Sequence, residues 1–90
     1  MEELLEKLKA LSETNIWAED GYFQDDDHEL VPQIESLCND YLIGPNGGCC
    51  WDNIDILKEN GYHVYAGEKD SFGWLTGVIE FKDGRKIVYG

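Results

Sequence analysis

The hydrophobic positions of the chain follow a helical period up to residue 61 and a period of two beyond it. Leucines at the spacing of one helical face predict an amphipathic helix over Glu2 to Leu11. A second apolar stripe predicts a helix from about Pro32 to Leu42, with the proline in the first turn, where a missing N–H costs nothing. A third stripe predicts a helix over Gly48 to Asn60, ended by Gly61.

Between the first two helices and after the third, the pattern changes. Ser12 to Glu29 shows no period and predicts an ordered acidic loop. Tyr62 to Ala66, Trp74 to Phe81 and Lys86 to Tyr89 each predict a strand. Lys82-Asp83-Gly84-Arg85 joins the last two, and its Asp-Gly pair predicts a type I′ hairpin, because both central residues of that turn need positive φ. This order predicts an α+β fold in which three helices pack on one face of a three-stranded antiparallel meander sheet.

The length and composition bound the class of protein. A chain of 90 residues without repeats or linkers indicates one domain over 1–90, helical and strongly acidic at 1–61 and a β-meander at 62–90. An apolar fraction of 42% is too high for a disordered acidic tail. No apolar run approaches the roughly 20 residues of a membrane span, and the N-terminus lacks a signal-peptide pattern. Three cysteines, two of them adjacent, indicate reduced thiols. We therefore expect a cytoplasmic protein.

The charge of the chain is strongly one-sided. Asp and Glu number 19 against 7 Lys and Arg, for a formal net charge of -12. The entire excess lies in residues 1–60, because acids and bases are equal in number over 61–90. Such a surface repels phosphate, so we expect no direct binding of nucleic acid. Dense like charge also costs stability, which calls for a functional reason unless it serves only solubility.

The acidic residues form a regular arrangement within the third predicted helix. Asp52, Asp55 and Glu59 recur at i, i+3 and i+7, as one stripe about 10 Å long opposite the apolar positions. Neighbouring carboxylates on such a stripe lie about 6 Å apart, a spacing comparable to that of charges along a nucleic-acid backbone. The loop over 12–29 interleaves acids with aromatic residues, which either anchor an interface or cover the core. The candidate partner-binding residues are Trp17, Glu19, Asp20, Tyr22, Phe23, Asp25, Asp26, Asp27, Asp52, Asp55 and Glu59.

These features favour a non-catalytic acidic protein that binds a basic protein partner. Basic grooves mostly belong to enzymes that handle nucleic acid, so the protein would act as an inhibitor that masks such a surface as a nucleic-acid mimic. In size and charge the chain is similar to phage-encoded inhibitors of restriction or CRISPR nucleases and to immunity proteins against nuclease toxins. Tyr62 to Ala66 and Lys86 to Tyr89 are candidate sheet edges with little charge protection, which leaves homodimerisation open.

An alternative function follows from the cysteines. Cys50 lies in the run Gly47-Gly48-Cys49-Cys50-Trp51 at the start of the third predicted helix, where the helix dipole lowers a thiol pKa. A Cys-Trp pair at a helix start, followed by His63 on an antiparallel strand, resembles papain-like cysteine hydrolases. The resemblance implies Cys50 as nucleophile, His63 as base and Asn46 or Gln33 as oxyanion donor. No zinc or calcium spacing occurs, so neither a metal nor another cofactor is expected.

Overall fold

The computed structural model describes residues 1–17, 19–44, 48–69, 72–73 and 75–90, with the side chains of Glu19 and Leu75 left outside that description. The elements are α1 (Glu2–Ser12), a 3₁₀ turn (Glu19–Gly21), α2 (Leu30–Leu42), α3 (Trp51–Glu59), β1 (His63–Lys69), β2 (Leu75–Glu80) and β3 (Lys86–Tyr89). The strands form an open antiparallel sheet in the order β1-β2-β3. This architecture confirms the predicted α+β class. Trp74, the predicted start of the second strand, lies outside the described residues.

The core joins the apolar stripes of the helices to alternate residues of the sheet. Val64, Ile79 and Ile87 lie opposite one another in register and share one face of the sheet. They cluster with buried helix residues, namely Leu4, Leu8, Leu11, Val31, Ile34, Cys38, Leu42, Ile54 and Leu57. The alternate positions Tyr65 and Val78 lie on the other face of the sheet. The helical period of the sequence therefore corresponds to the side of each helix that is buried.

The third helix is shorter than predicted. The sequence pattern placed it over Gly48 to Asn60, but α3 begins three residues later, at Trp51. The Cys50 N–H donates to the Leu42 carbonyl at 2.9 Å, and this contact holds the preceding backbone outside the helix. Cys50 is therefore the N-cap residue and does not belong to the helical stripe. The predicted stop at Gly61 is confirmed, with φ of 92° in the left-handed region that glycine adopts without strain.

The β2–β3 hairpin has a different turn from the one predicted. Gly84 has a φ of 93°, but Asp83 has a negative φ, so the type I′ prediction is wrong. Gly84 N–H donates to the Phe81 carbonyl at 3.0 Å, and Phe81 N–H donates to the Arg85 carbonyl at 2.8 Å. These bonds define a three-residue loop with glycine in its left-handed position. Asp83 Oδ1 accepts the Arg85 N–H at 3.0 Å, a local bond that favours this turn.

The two outer strands of the sheet differ in how they are covered. Tyr22 forms a parallel bridge with Lys86, and the Phe23 N–H donates to the Lys86 carbonyl at 2.8 Å, so the loop covers part of the β3 edge. Along β1, which extends past the predicted end at Ala66 to Lys69 with a register shift, the described residues provide no further strand. Homodimerisation therefore stays a prediction, and β1 is the more open edge.

Arg85, the only arginine of the sequence, joins the hairpin to the end of α1. Its guanidinium donates to the carbonyl oxygens of Ser12 at 2.6 Å, Thr14 at 2.9 Å and Ile16 at 3.1 Å. It also pairs with Asp83 at 2.7 Å. Ser12 is the last residue of α1 and its carbonyl has no intrahelical partner, so the bond from Arg85 satisfies a group that would otherwise need water. One side chain thus ties the helical and β parts together.

We expect Arg85→Lys to lower the free energy of unfolding by about 2 kcal/mol, because one ammonium cannot reproduce the planar set of donors. Urea unfolding followed by far-UV circular dichroism measures the loss. Lys82→Ala, a change at an exposed residue of the same loop, serves as control and should stay within about 0.5 kcal/mol of the parent protein. Equal stability of the Arg85→Lys protein and the parent would contradict the role given to the guanidinium.

Candidate protein-binding surface

The outer side of α3 presents three carboxylates on a fixed scaffold. Ile54 and Leu57 are buried and hold the helix against the core. Asp52, Asp55 and Glu59 are exposed on the opposite side. At a rise of about 1.5 Å per residue the three carboxylates span about 10 Å. The predicted stripe is therefore placed on the surface of a helix that is anchored by its inner face.

The basic side chains of the protein neutralise only a small part of its acidic surface. Among the described residues, the ion pairs join Lys86 to Glu80 and Arg85 to Asp83. All of these residues belong to the last third of the chain, which carries no net charge. The acids of α3 form no ion pair within the described part of the chain. Their negative charge consequently faces solvent, where only salt screens it.

The acidic loop lies at the other edge of the sheet. Tyr22 and Phe23 run along β3, whereas the strand that α3 packs against is β1. Since β2 separates β1 from β3, the predicted partner-binding residues form two surfaces and not one. Asp20 is exposed in the 3₁₀ turn with a left-handed φ of 52°. The side chain of Glu19 lies outside the described residues.

Two acids of the run at 25–27 have partners within the fold. Asp27 Oδ2 accepts the Gln24 N–H at 2.6 Å and closes a turn. The carboxyl group of Asp25 lies beside that of Glu35 in α2. Burial, followed by the contact with Asp25, raises the pKa of Glu35 to about 7. Asp25 and Asp26 are exposed, whereas Asp27 is bonded within the loop. Fewer carboxylates of this run than of α3 are therefore free to bind a partner.

The predicted aromatic anchors differ in exposure. Phe23 is only 4% exposed and packs on Phe81 with ring centroids 5.7 Å apart, so it covers the core and presents little surface to a partner. Its position after a β-bridge turns the ring into the core. Tyr22 is half-buried, with Lys86 Nζ 5.2 Å from its ring centre. Trp17 is 84% exposed and is available to a partner.

Trp51 is an exposed aromatic residue that the sequence pattern did not single out as an anchor. It is 64% exposed at the first position of α3, directly before Asp52 and one turn before Asp55. Trp51 lies three residues before the buried Ile54, so the spacing of apolar residues alone did not show that Trp51 is exposed. We refer to Trp51, Asp52, Asp55 and Glu59 together as the α3 patch. Aromatic residues surrounded by charge are frequent at the energetic centre of interfaces.

The residues of the hydrolase alternative are not assembled as a catalytic pair. Cys50 precedes α3, whereas His63 Nδ1 lies 3.3 Å from Glu80 Oε1 on the sheet. No hydrogen bond joins Cys50 to His63 within the described part of the chain. Gln33 is engaged between the first two helices, where it accepts from Lys7. Asn46 lies outside the described residues.

Neither a metal centre nor a membrane span is assembled where the structure describes the chain. No three side chains of His, Cys, Asp or Glu come together there as potential ligands. Each described helix is too short or too polar to cross a bilayer.

The raised pKa of Glu35 predicts a dependence of stability on pH. A carboxyl group whose folded pKa lies above its ordinary value of 4.5 favours folding most below that value, and this contribution is lost as pH rises through about 7. Because much of the group is solvent-exposed, we expect a loss of only about 1 kcal/mol between pH 5 and pH 8. Urea unfolding at both pH values should show that loss in the parent and much less of it in Glu35→Gln. An equal loss in both proteins would contradict the coupling, and Glu29→Gln should behave as the parent.

The three thiols should react at very different rates. Burial and the Glu35 carboxylate raise the pKa of Cys38 to about 12, whereas Cys49 is exposed and Cys50 is partly exposed. At pH 8 we expect N-ethylmaleimide to modify Cys49 at least about 100-fold faster than Cys38. Peptide mapping by mass spectrometry measures both rates. In guanidinium chloride, where the protein is unfolded, Cys49 and Cys38 should be modified at similar rates. Rapid modification of Cys38 in the native protein would contradict its burial.

No family model, curated protein or solved structure matches the chain. The surfaces of the protein and their chemistry are therefore the basis for a function.

Proposed function

We propose that this protein is a non-catalytic inhibitor that binds a basic protein partner through the α3 patch. The partner is an enzyme that processes nucleic acid, and the inhibitor occupies the groove that would otherwise receive the nucleic acid. The observation that carries the proposal is the row of exposed α3 carboxylates without a cation partner among the described residues. A row of this kind attracts a groove lined by Lys and Arg.

The charge of the whole molecule supports this use of α3. A net charge of -12 on 90 residues speeds encounter with a basic surface and opposes encounter with nucleic acid or with an acidic protein. The spacing of the α3 carboxylates, about 6 Å between neighbours, is comparable to the spacing of backbone phosphates. A groove that binds phosphates can therefore accept the α3 patch with its cations in similar positions.

The α3 patch is a better candidate than the acidic loop. Asp27 already accepts a hydrogen bond within the loop, so a binding partner would have to compete for it. Asp52, Asp55 and Glu59 form no ion pair among the described residues, so a partner can bind them without breaking one. A helix held by its buried face also loses little conformational entropy on binding, which favours affinity.

Proteins of this kind include inhibitors of restriction or CRISPR nucleases and immunity proteins against nuclease toxins, which the chain resembles in size and charge. Enzymes of that class work in the cytoplasm, which is where we place the protein. Its free cysteines agree with a reducing compartment. The hydrolase alternative is not proposed, because no hydrogen bond joins Cys50 to His63 among the described residues.

Affinity capture from a lysate of the source cell tests the proposal. Tagged protein at about 0.05 M salt should retain a basic enzyme of nucleic-acid metabolism, and duplex DNA or about 0.5 M salt should release it, because added ions screen the contact. Mass spectrometry identifies the retained protein. The triple variant Asp52→Lys, Asp55→Lys and Glu59→Lys should lower the affinity about 100-fold.

A second triple variant controls for net charge. Glu2→Lys, Glu6→Lys and Glu13→Lys make the same change in charge at exposed positions of α1 and its cap. This control should still capture the enzyme. Equal loss of capture by both triple variants would show that only net charge matters, and equal retention by both would remove α3 from the interface. Circular dichroism of each variant separates lost binding from lost folding.

A further inference from the structure

A cavity of about 330 Å³ opens between α3 and the sheet, directly beside the α3 patch. Its walls are mostly apolar and come from the end of α2, the inner side of α3 and all three strands. The residues that define its interior are Leu42, Ile54, Val64, Ala66, Gly77 and Tyr89. The volume is within the range of pockets that bury a drug-sized ligand or a large side chain.

Small residues create this space. Gly77 faces Ala66 in the register of β1 and β2, so neither strand contributes a large side chain at this level. The Tyr89 ring lies against the Gly77 backbone, where a Cβ atom would overlap it. The α3 helix is only nine residues long, so it leaves part of the β1–β2 strand pair uncovered. The cavity is thus a consequence of the packing between a short helix and a strand pair with small residues.

The cavity and the acidic stripe occupy adjacent rows of the same helix. Trp51, Ile54 and Lys58 line the cavity, and each is followed in sequence by one carboxylate of the stripe. Successive residues of a helix are rotated by about 100°, so the carboxylates lie beside the mouth of the cavity and not inside it. Lys58 lies two turns from Trp51, which makes the Trp51 end the more negative end of the mouth.

We propose that the cavity receives one large apolar side chain of the basic partner, while Lys or Arg residues next to that side chain meet Asp52 and Asp55. The proposal rests on the proposed function and specifies the partner segment. An apolar anchor in a desolvated pocket supplies affinity, and the surrounding charges select the sequence around it. Trp51 lies between the cavity and the acidic stripe, where its ring shields the apolar side chain of the partner from water.

Two peptides test this directly. The first is a short amidated peptide of lysine and arginine with one central tryptophan, and the second has alanine at that position. Isothermal titration calorimetry at about 0.05 M salt should give at least tenfold tighter binding for the tryptophan peptide. The stripe variant of Asp52, Asp55 and Glu59 should weaken both peptides.

A variant that fills the cavity provides the decisive control. Ala66→Leu adds a side chain at an exposed position that lines the cavity, so it should remove the preference for tryptophan without unfolding the sheet. Ala10→Leu makes the same substitution at an exposed position of α1 and should keep the preference. Amide chemical shifts of Val64 and Gly77 should move with the tryptophan peptide in the parent protein.

The outcomes separate this inference from the proposed function. Equal binding of both peptides, or a preference that survives Ala66→Leu, would overturn the cavity as the anchor site and leave the acidic patch in place. A tryptophan preference in the parent protein, with affinities for both peptides that the stripe variant leaves unchanged, would support the cavity and contradict the role of the carboxylates. Failure of both peptides to bind at about 1 mM would overturn the inference.

Discussion

The contact between Arg85 and the end of α1 is the interaction on which the rest of this structure depends. A domain of 90 residues has little apolar surface to bury, so segments that leave the core need another means of attachment. The guanidinium supplies it by bonding to three carbonyls at the end of α1 and in the loop beyond. It also lies 5.3 Å from the ring centre of Phe23, farther along the same loop. The loop, the helix and the hairpin are thereby held as one unit.

This arrangement determines where negative charge remains available. The pairing of Arg85 and Lys86 with Asp83 and Glu80 places ion pairs in the part of the chain that is already neutral. The loop beside them closes part of the β3 edge and draws Asp25 onto α2. At the β1 edge nothing comparable occurs among the described residues, and α3 exposes its carboxylates next to an apolar cavity. The surface that we propose for partner binding thus lies on the side of the sheet where Arg85 makes no contact.

Most helices and strands could be predicted because their signals are local. The leucine spacing of α1 and the alternation of β3 report which side of each segment is buried. Predictions that depended on contacts between distant residues were less successful. An Asp-Gly pair is compatible with more than one hairpin turn, and the bonds between Asp83 and Arg85 favour the turn that is present. Phe23 occurs in an acidic, aperiodic segment, and only its contact with Phe81 shows that it is buried.

The sequence by itself determined the class of fold, the periodic faces of the elements and the charge of each part of the chain, since these depend on composition and short spacings. It also placed Asp52, Asp55 and Glu59 on one helical stripe, because a helix converts a spacing along the chain into a direction in space. Only the tertiary structure decided that this stripe and the acidic loop occupy opposite edges of the sheet, that Trp51 is exposed, and that a cavity opens beside it. Those features depend on how segments far apart in the chain pack together, and the spacing of residues within one segment does not determine that packing.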